Sequence, residues 1–249
     1  MAEEKGAKRR RRGTVFYTPV AALLSIIIVI FGISVFFRVS YIEVKGVKKY
    51  TAEQILSASG LEKGDNLLFV DAKDAEKNIG LNLPYLNEII IEKIVPDRVI
   101  INVTESQPLA VIGYGGSWWI IDQKAKVLEK TGSEDIDGKI MINGLEPVSL
   151  VEGRKIIVDK DNDTQLRYLT DILSAIYSAG LSGQVGTLDI SNIGNISFTY
   201  TDRFTIIMGS GQDAEYKLTM LQNVILQLEP DNKGKIDLTR EGKPRFIPY

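Results

Sequence analysis

The sequence predicts an α+β protein: one N-terminal membrane-spanning helix, then a small strand-helix-helix-strand-strand domain, then a mixed, mainly antiparallel β domain with packed helices. Three observations carry this expectation. Residues 14–37 hold no charged side chain. Between residues 41 and 105, period-two apolar runs flank two stretches of helical spacing. Beyond residue 107, short β-rich runs bounded by turn residues alternate with two long amphipathic stretches.

The first element lies in KRRRRGTVFYTPVAALLSIIIVIFGISVFFRV, residues 8–39. At about 1.5 Å per residue, the roughly 24 uncharged positions from Thr14 to Phe37 give a helix of about 36 Å, enough to cross a hydrocarbon core of about 30 Å. A secretory signal has an apolar core of only about 7–15 residues before a small-x-small cleavage site. Gly32-Ile33-Ser34 has that shape, but Val35-Phe36-Phe37 continues the apolar run, so a retained anchor is expected. Pro19 falls in the first turn or so, where a helix tolerates it. Lys5, Lys8 and Arg9 to Arg12 stand before the span against Glu3 and Glu4, whereas Arg38 is nearly alone after it. The positive-inside bias then keeps the basic tail, residues 1–13, in the cytoplasm and carries residues 38–249 across.

Composition narrows the function. Residues 38–249 carry 24 basic and 30 acidic side chains, a balance of −6 that disfavours a nucleic-acid-binding domain. The chain has no cysteine, hence no disulfide framework, and an exported fold of this kind suits a bacterial cell surface. It has no histidine either, which removes His-based triads and the usual zinc sites.

The exported elements follow in order. YIEVKGV alternates Ile42 and Val44 against Glu43 and Lys45, as a half-buried strand does. In the next helix Thr51 and Gln54 form a capping box, Tyr50 is placed to staple onto Ile55, the face is Ala52, Ile55, Leu56 and Ser59, and Gly60 ends it. Leu67 to Val70 reads as a short extended stretch, and Asp71 caps a second helix with Ala72, Ala75 and Ile79 inward. Two β-rich runs then turn about Pro96-Asp97, with Val99, Ile101 and Val103 on one face of the second.

The second domain opens near Gln107-Pro108 with a strand, a Gly-rich turn and a hairpin about Asp122 to Lys124. Residues 132–138 read as loop. A helix is expected from about Thr164 to Ser178, with Leu166, Leu169, Ile172, Leu173 and Ile176 inward. Three short strands, TLDIS, NISFTYT and RFTIIMG, form a meander. A helix from about Asp213 to Leu228 carries the stripe Tyr216, Met220, Leu221, Val224, Ile225 and Leu228. KIDLTR reads as the final strand.

Catalytic and cofactor motifs are weak. Gly209-x-Gly211-x-x-Ala214 follows a strand and opens a helix, as a dinucleotide-binding turn does, but only about 35 residues follow it, too few for the rest of that unit. A plain strand-to-helix turn is expected instead. GYGGSWW reads as a hairpin turn, with Trp118 and Trp119 on opposite sheet faces, one in the core and the other an exposed contact or at the domain join. A Ser-x-x-Lys pair does not occur. No catalytic, cofactor or metal residue is expected, and an enzyme is disfavoured.

A basic tail, one span, YIEVKGVKKYTAEQILSASGLEKGDNLLFVD and YLNEIIIEKIVPDRVIINVTESQPLAVI together resemble the FtsQ/DivIB family of bacterial cell-division proteins. Residues 38–106 look like its POTRA domain. WWIIDQKAKVLEK, FTIIMGSGQDAEYKLTMLQNVI and KIDLTREGKPRFIPY look like its β domain, placed at 107–240, with 241–249 as a C-terminal tail. The resemblance implies a non-enzymatic, membrane-anchored scaffold at the division septum. Small single-span coiled-coil division proteins of the FtsL and DivIC/FtsB type would be its partners, along with other septal proteins. It also implies an open edge on the last strand, to which a partner adds. The matching residues are Leu238, Thr239, Arg240, Lys243, Arg245, Phe246 and Ile247, with Arg240 and Phe246 as anchors; Pro244 and Pro248 limit the added strand. The alternative is a protein that binds or modifies cell-wall peptidoglycan, with the Trp118/Trp119 region as its sugar contact.

Overall fold

The computed structural model describes residues 14–240 and 242–249; the basic tail, residues 1–13, lies outside them. Helix α1 covers Thr14–Phe36 and is apolar all round, and its Pro19–Phe36 stretch is not buried against the rest of the protein. Pro19 sits in its second turn rather than its first.

Strand β1 (Tyr41–Lys45), helices α2 (Ala52–Ser59) and α3 (Ala72–Asn82), and strands β2 (Leu86–Ile94) and β3 (Arg98–Glu105) form the first domain. Its sheet has the order β1-β3-β2, with β1 parallel to β3 and β2 antiparallel to it. The local chemistry is as read. The Thr51/Gln54 capping box closes on both sides, Gly60 ends α2 at φ 69°, and Asp71 accepts from Lys73 N and Asp74 N. Ile55, Ala75 and Ile79 bury against Val99, Ile101 and Val103. Leu67 to Val70 is a correction: Phe69 N and Val70 N both donate to Asn66 O, so the segment is a turn. The turn replaces the extended stretch because Asn66 bridges Arg38 and Leu67 N bonds Phe37 O, which anchors the chain only at its start.

The second domain is a nine-stranded sheet. Its strands are β4 (Ala110–Tyr114), β5 (Ser117–Ile121), β6 (Val127–Thr131), β7 (Ile140–Asn143), β10 (Val185–Asp189), β11 (Ile196–Tyr200), β12 (Phe204–Gly209), β13 (Gly234–Asp237) and β14 (Arg245–Pro248). Between β7 and β10 lie a small ribbon of β8 (Pro147–Ser149) with β9 (Ile157–Val158), and helix α4 (Asp163–Ser178); α5 (Ala214–Ile225) follows β12. The sheet order is β14-β13-β12-β11-β10-β7-β4-β5-β6. One register row crosses it from Phe246 through Ile236, Ile206, Phe198, Leu188, Ile142 and Ile112 to Trp119, and α4 and α5 bury this face.

The opposite face is covered at the β4-β5-β6 end by the first domain. Val111, Ile120 and Leu128 bury against Tyr85, with Tyr50 and Trp118 packed around them. Trp118 thus rests at the domain join, and Trp119 faces the helices. Tyr50, expected to staple α2, also turns its hydroxyl to this join, where it accepts from Tyr85 N. The Gly-rich hairpin turn is Gly115-Gly116, at φ 59° and 74°, the left-handed pair that a two-residue turn requires.

Three further expectations are revised. Residues 132–138 contain a short 3₁₀ turn at Ser133–Asp135. Helix α5 stops at Ile225, and Tyr216 is exposed while Leu218 takes the buried place. KIDLTR is not last: β13 covers Gly234–Asp237, and within the expected C-terminal tail Arg245–Pro248 pairs with it as β14.

Asp122 is fully buried and makes the join specific. Its Oδ1 accepts from Lys124 N at 2.8 Å and Lys126 N at 3.0 Å, and its Oδ2 accepts from Ser106 Oγ at 2.8 Å. Asp122→Ala should cost about 3 kcal/mol in a denaturant titration, because two buried amides and a hydroxyl lose their acceptor. Asp122→Asn keeps an acceptor oxygen and should cost about half as much or less.

Candidate functional site

The nine-stranded sheet ends in two different edges. At β6 the segment 152–156 lies alongside: Val127 N donates to Arg154 O, Gly153 N to Val127 O, and Glu152 Oε1 accepts from Lys130 N. That edge is occupied. At the other end β14 is outermost.

The ladder fixes which backbone groups of β14 face outward. Tyr249 N donates to Lys233 O at 3.1 Å, which makes that pair hydrogen-bonded. Bonded and non-bonded pairs alternate in an antiparallel ladder, so Ile247 and Arg245 also face β13, opposite Lys235 and Asp237. Pro244, Phe246 and Pro248 therefore point their backbones away from the sheet. The prolines lack N–H where β13 needs none, leaving Phe246 N–H as the outward donor of this strand, among the carbonyls of 244, 246 and 248. The edge is open, but over a short length.

Side chains complete the site. The Phe246 ring lies on the helix-side face and meets Phe204 edge-on, with centroids 6.1 Å apart. It can do so because residue 234 is glycine: a Cβ there would stand 2.8 Å from the Phe246 ring and 2.2 Å from Ile247 O. Beside it, α5 and the β13–β14 segment enclose a groove of about 570 Å³, lined by Tyr216, Met220, Val224, Leu228, Pro244 and Phe246. The α5 stripe is therefore wider than the core needs, and its outer members belong to this groove. Helical spacing shows this stripe in the sequence but not what covers it, and here Val224 and Leu228 both pack against the core and line the groove.

The expected partner-binding residues fall into two groups. Leu238 is buried, and Thr239 donates through both N and Oγ1 to Asp237 Oδ1, so these two fix the end of β13. Those bonds, with the nearby Arg240 and Arg245, hold the Asp237 carboxyl below the usual range. Arg240, Lys243, Arg245 and Ile247 are exposed, and Phe246 is half-buried.

The other motifs resolve into packing. Gly209 has φ 71°, and a Cβ on Gly211 would come within 2.4 Å of the Tyr168 ring, so these glycines let the β12–α5 turn close onto α4. Lys217 Nζ donates to Ser210 O across that turn. Trp118 and Trp119 are both half-buried, and Trp118 also lines a shallow surface pocket with Gly113 to Ser117. Among the described residues, no group of three acidic side chains is arranged to hold a metal ion.

Residues 37–106 match the model of the POTRA domain, FtsQ-type. Over 242 residues the chain is 27% identical to a cell division protein DivIB of Clostridium botulinum, covering 96% of this chain and 93% of that protein. It is 24% identical to a cell division protein DivIB of Clostridium tetani, over 89% of this chain and 83% of the relative. A cell division protein FtsQ of Corynebacterium glutamicum is 24% identical, over 83% and 88% respectively.

Gly234→Ala should push β14 off β13 while leaving the helix-side core intact. Hydrogen exchange at the Ile247 and Tyr249 amides should accelerate at least tenfold, with the amides of β11 and β12 unchanged.

Proposed function

We propose, from the premise that this chain is of the FtsQ/DivIB kind and carries an FtsQ-type POTRA domain, that it acts in bacterial cell division as a membrane-anchored, non-enzymatic scaffold. Helix α1 is long and apolar enough to hold it in the membrane. In this reading its N-terminus is cytoplasmic, its two domains work outside at the septum, and its partners are small single-span division proteins of the FtsL and DivIC/FtsB type.

The observation that carries the reading is the β14 edge. A partner strand pairing there takes one N–H, from Phe246, and offers its own donors to the flanking carbonyls. Alternate side chains of that strand enter the groove beside α5, against Tyr216, Val224 and Leu228. Arg240, Lys243 and Arg245 surround the edge with positive charge and favour an acidic partner segment. A contact this short draws its affinity from the apolar groove as much as from the backbone, so Phe246 is the expected anchor.

Co-purification of the small partners with the full chain, with dissociation constants measured in detergent, tests this. Phe246→Ala keeps the outward N–H but removes the ring and should weaken capture about tenfold, near 1.4 kcal/mol. Phe246→Pro also removes the donor, breaks no bond to β13, and should weaken it further. Unchanged capture by both variants would remove the edge from the reading.

A further inference from the structure

The turn that replaces the expected extended stretch carries two exposed apolar side chains, Leu68 at 49% and Phe69 at 85% exposure. Their neighbours Leu67 and Val70 are buried in the first domain, so the turn holds Leu68 and Phe69 outward rather than leaving them loose.

Its position relative to α1 is fixed by backbone bonds. Leu67 N donates to Phe37 O at 2.7 Å, Val39 N to Asp65 O at 2.8 Å, and Gly64 N to Val39 O at 2.8 Å. Arg38 and Asn66 form a β-bridge. Phe37, the residue after α1, packs on the first domain's core, and Val39 is buried in it. The end of α1 and the 64–67 segment are therefore one unit, and Leu68 is the next residue along.

The bilayer sets the scale. Helix α1 has 23 residues, about 35 Å at 1.5 Å per residue, against a hydrocarbon core of about 30 Å and headgroup layers of about 5–8 Å on each side. The end of α1 thus lies in a headgroup layer, and a turn bonded to Phe37 O starts at that depth. Arg38, Lys63, Lys73 and Lys93 balance Glu62, Asp65, Asp71 and Asp74 around it, so lipid charge has little to select. Apolar burial is what the site offers.

Resting on the reading of α1 as a membrane span, we infer that the Leu68-Phe69 turn inserts into the outer lipid interface beside the helix and sets the angle at which the first domain stands on the membrane. The occupant of this surface is the bilayer that holds α1, through the glycerol and upper acyl region.

The absence of cysteine makes the test direct. The full chain carrying Leu68→Cys, labelled with an environment-sensitive fluorophore, is placed in phosphatidylcholine nanodiscs with or without lipid bearing a nitroxide near the headgroup. A label at Asn192→Cys, in the β10–β11 loop of the second domain, is the reference. The expected result is at least twofold stronger quenching at residue 68 than at 192, lost when Phe69→Ser is added. Absent quenching at residue 68 overturns the inference, as does quenching that Phe69→Ser leaves unchanged, because α1 alone would then account for proximity. A label unquenched in nanodiscs but shielded in native membranes also overturns it, by assigning the turn to a protein. A chain that fails to co-elute with nanodiscs overturns the anchor reading itself.

Discussion

The buried carboxylate of Asp122 is the contact on which the arrangement of the two domains depends. It organises the β5–β6 turn through two backbone amides and grips the linker between domains through Ser106. That turn delivers Lys126, whose amine donates to Leu86 O at the start of β2. Ser106 N in turn donates to Tyr85 O, and the Tyr85 hydroxyl bonds the Glu129 carboxylate of β6. Burial and this carboxylate push the Tyr85 hydroxyl up, so it remains the donor, while burial pulls the Lys126 amine down. Lys49 sits over the Tyr85 ring at 3.3 Å. Polar groups buried at a join are costly unless every partner is in place, and this set therefore selects one relative orientation of the domains.

That orientation links the end of α1 to the far edge of the sheet. The first domain receives α1 through Phe37 and Val39, and the join passes its position to β4, β5 and β6. The sheet then carries it across nine strands to β14. One face of that sheet is buried under α4 and α5 along its length.

The edges are managed in opposite ways. A free strand edge invites uncontrolled pairing, and β6 avoids this by taking the 152–156 segment as cover. In the first domain the Glu76 side chain accepts from Ile91 N on the outer edge of β2. At β14 two prolines limit the outward donors without interrupting the internal ladder. The outcome is an edge whose outward N–H is that of Phe246, set among the carbonyls of residues 244, 246 and 248.

Much of this was legible in the sequence because it is local chemistry. The uncharged span, the capping box at Thr51 and Gln54, the Asp71 cap, Gly60, the Gly115-Gly116 turn and the inward faces of α4 and β3 each follow from residues within a few positions of one another. What the tertiary structure decided depends on partners distant in the chain. Strand β7 is four residues long and lies between β4 and β10, parallel to both; a run so short has no period to read. Leu67 to Val70 turns because Arg38 and Phe37 claim its start. Tyr216 lines a groove because α5 meets β14, and Arg245–Pro248 becomes a strand because Gly234 leaves room for Phe246. The sequence determined each element by its own side chains and hydrogen-bonding options. Only the assembled fold determined which surfaces stayed open, because exposure belongs to the contacts between elements and not to any one of them.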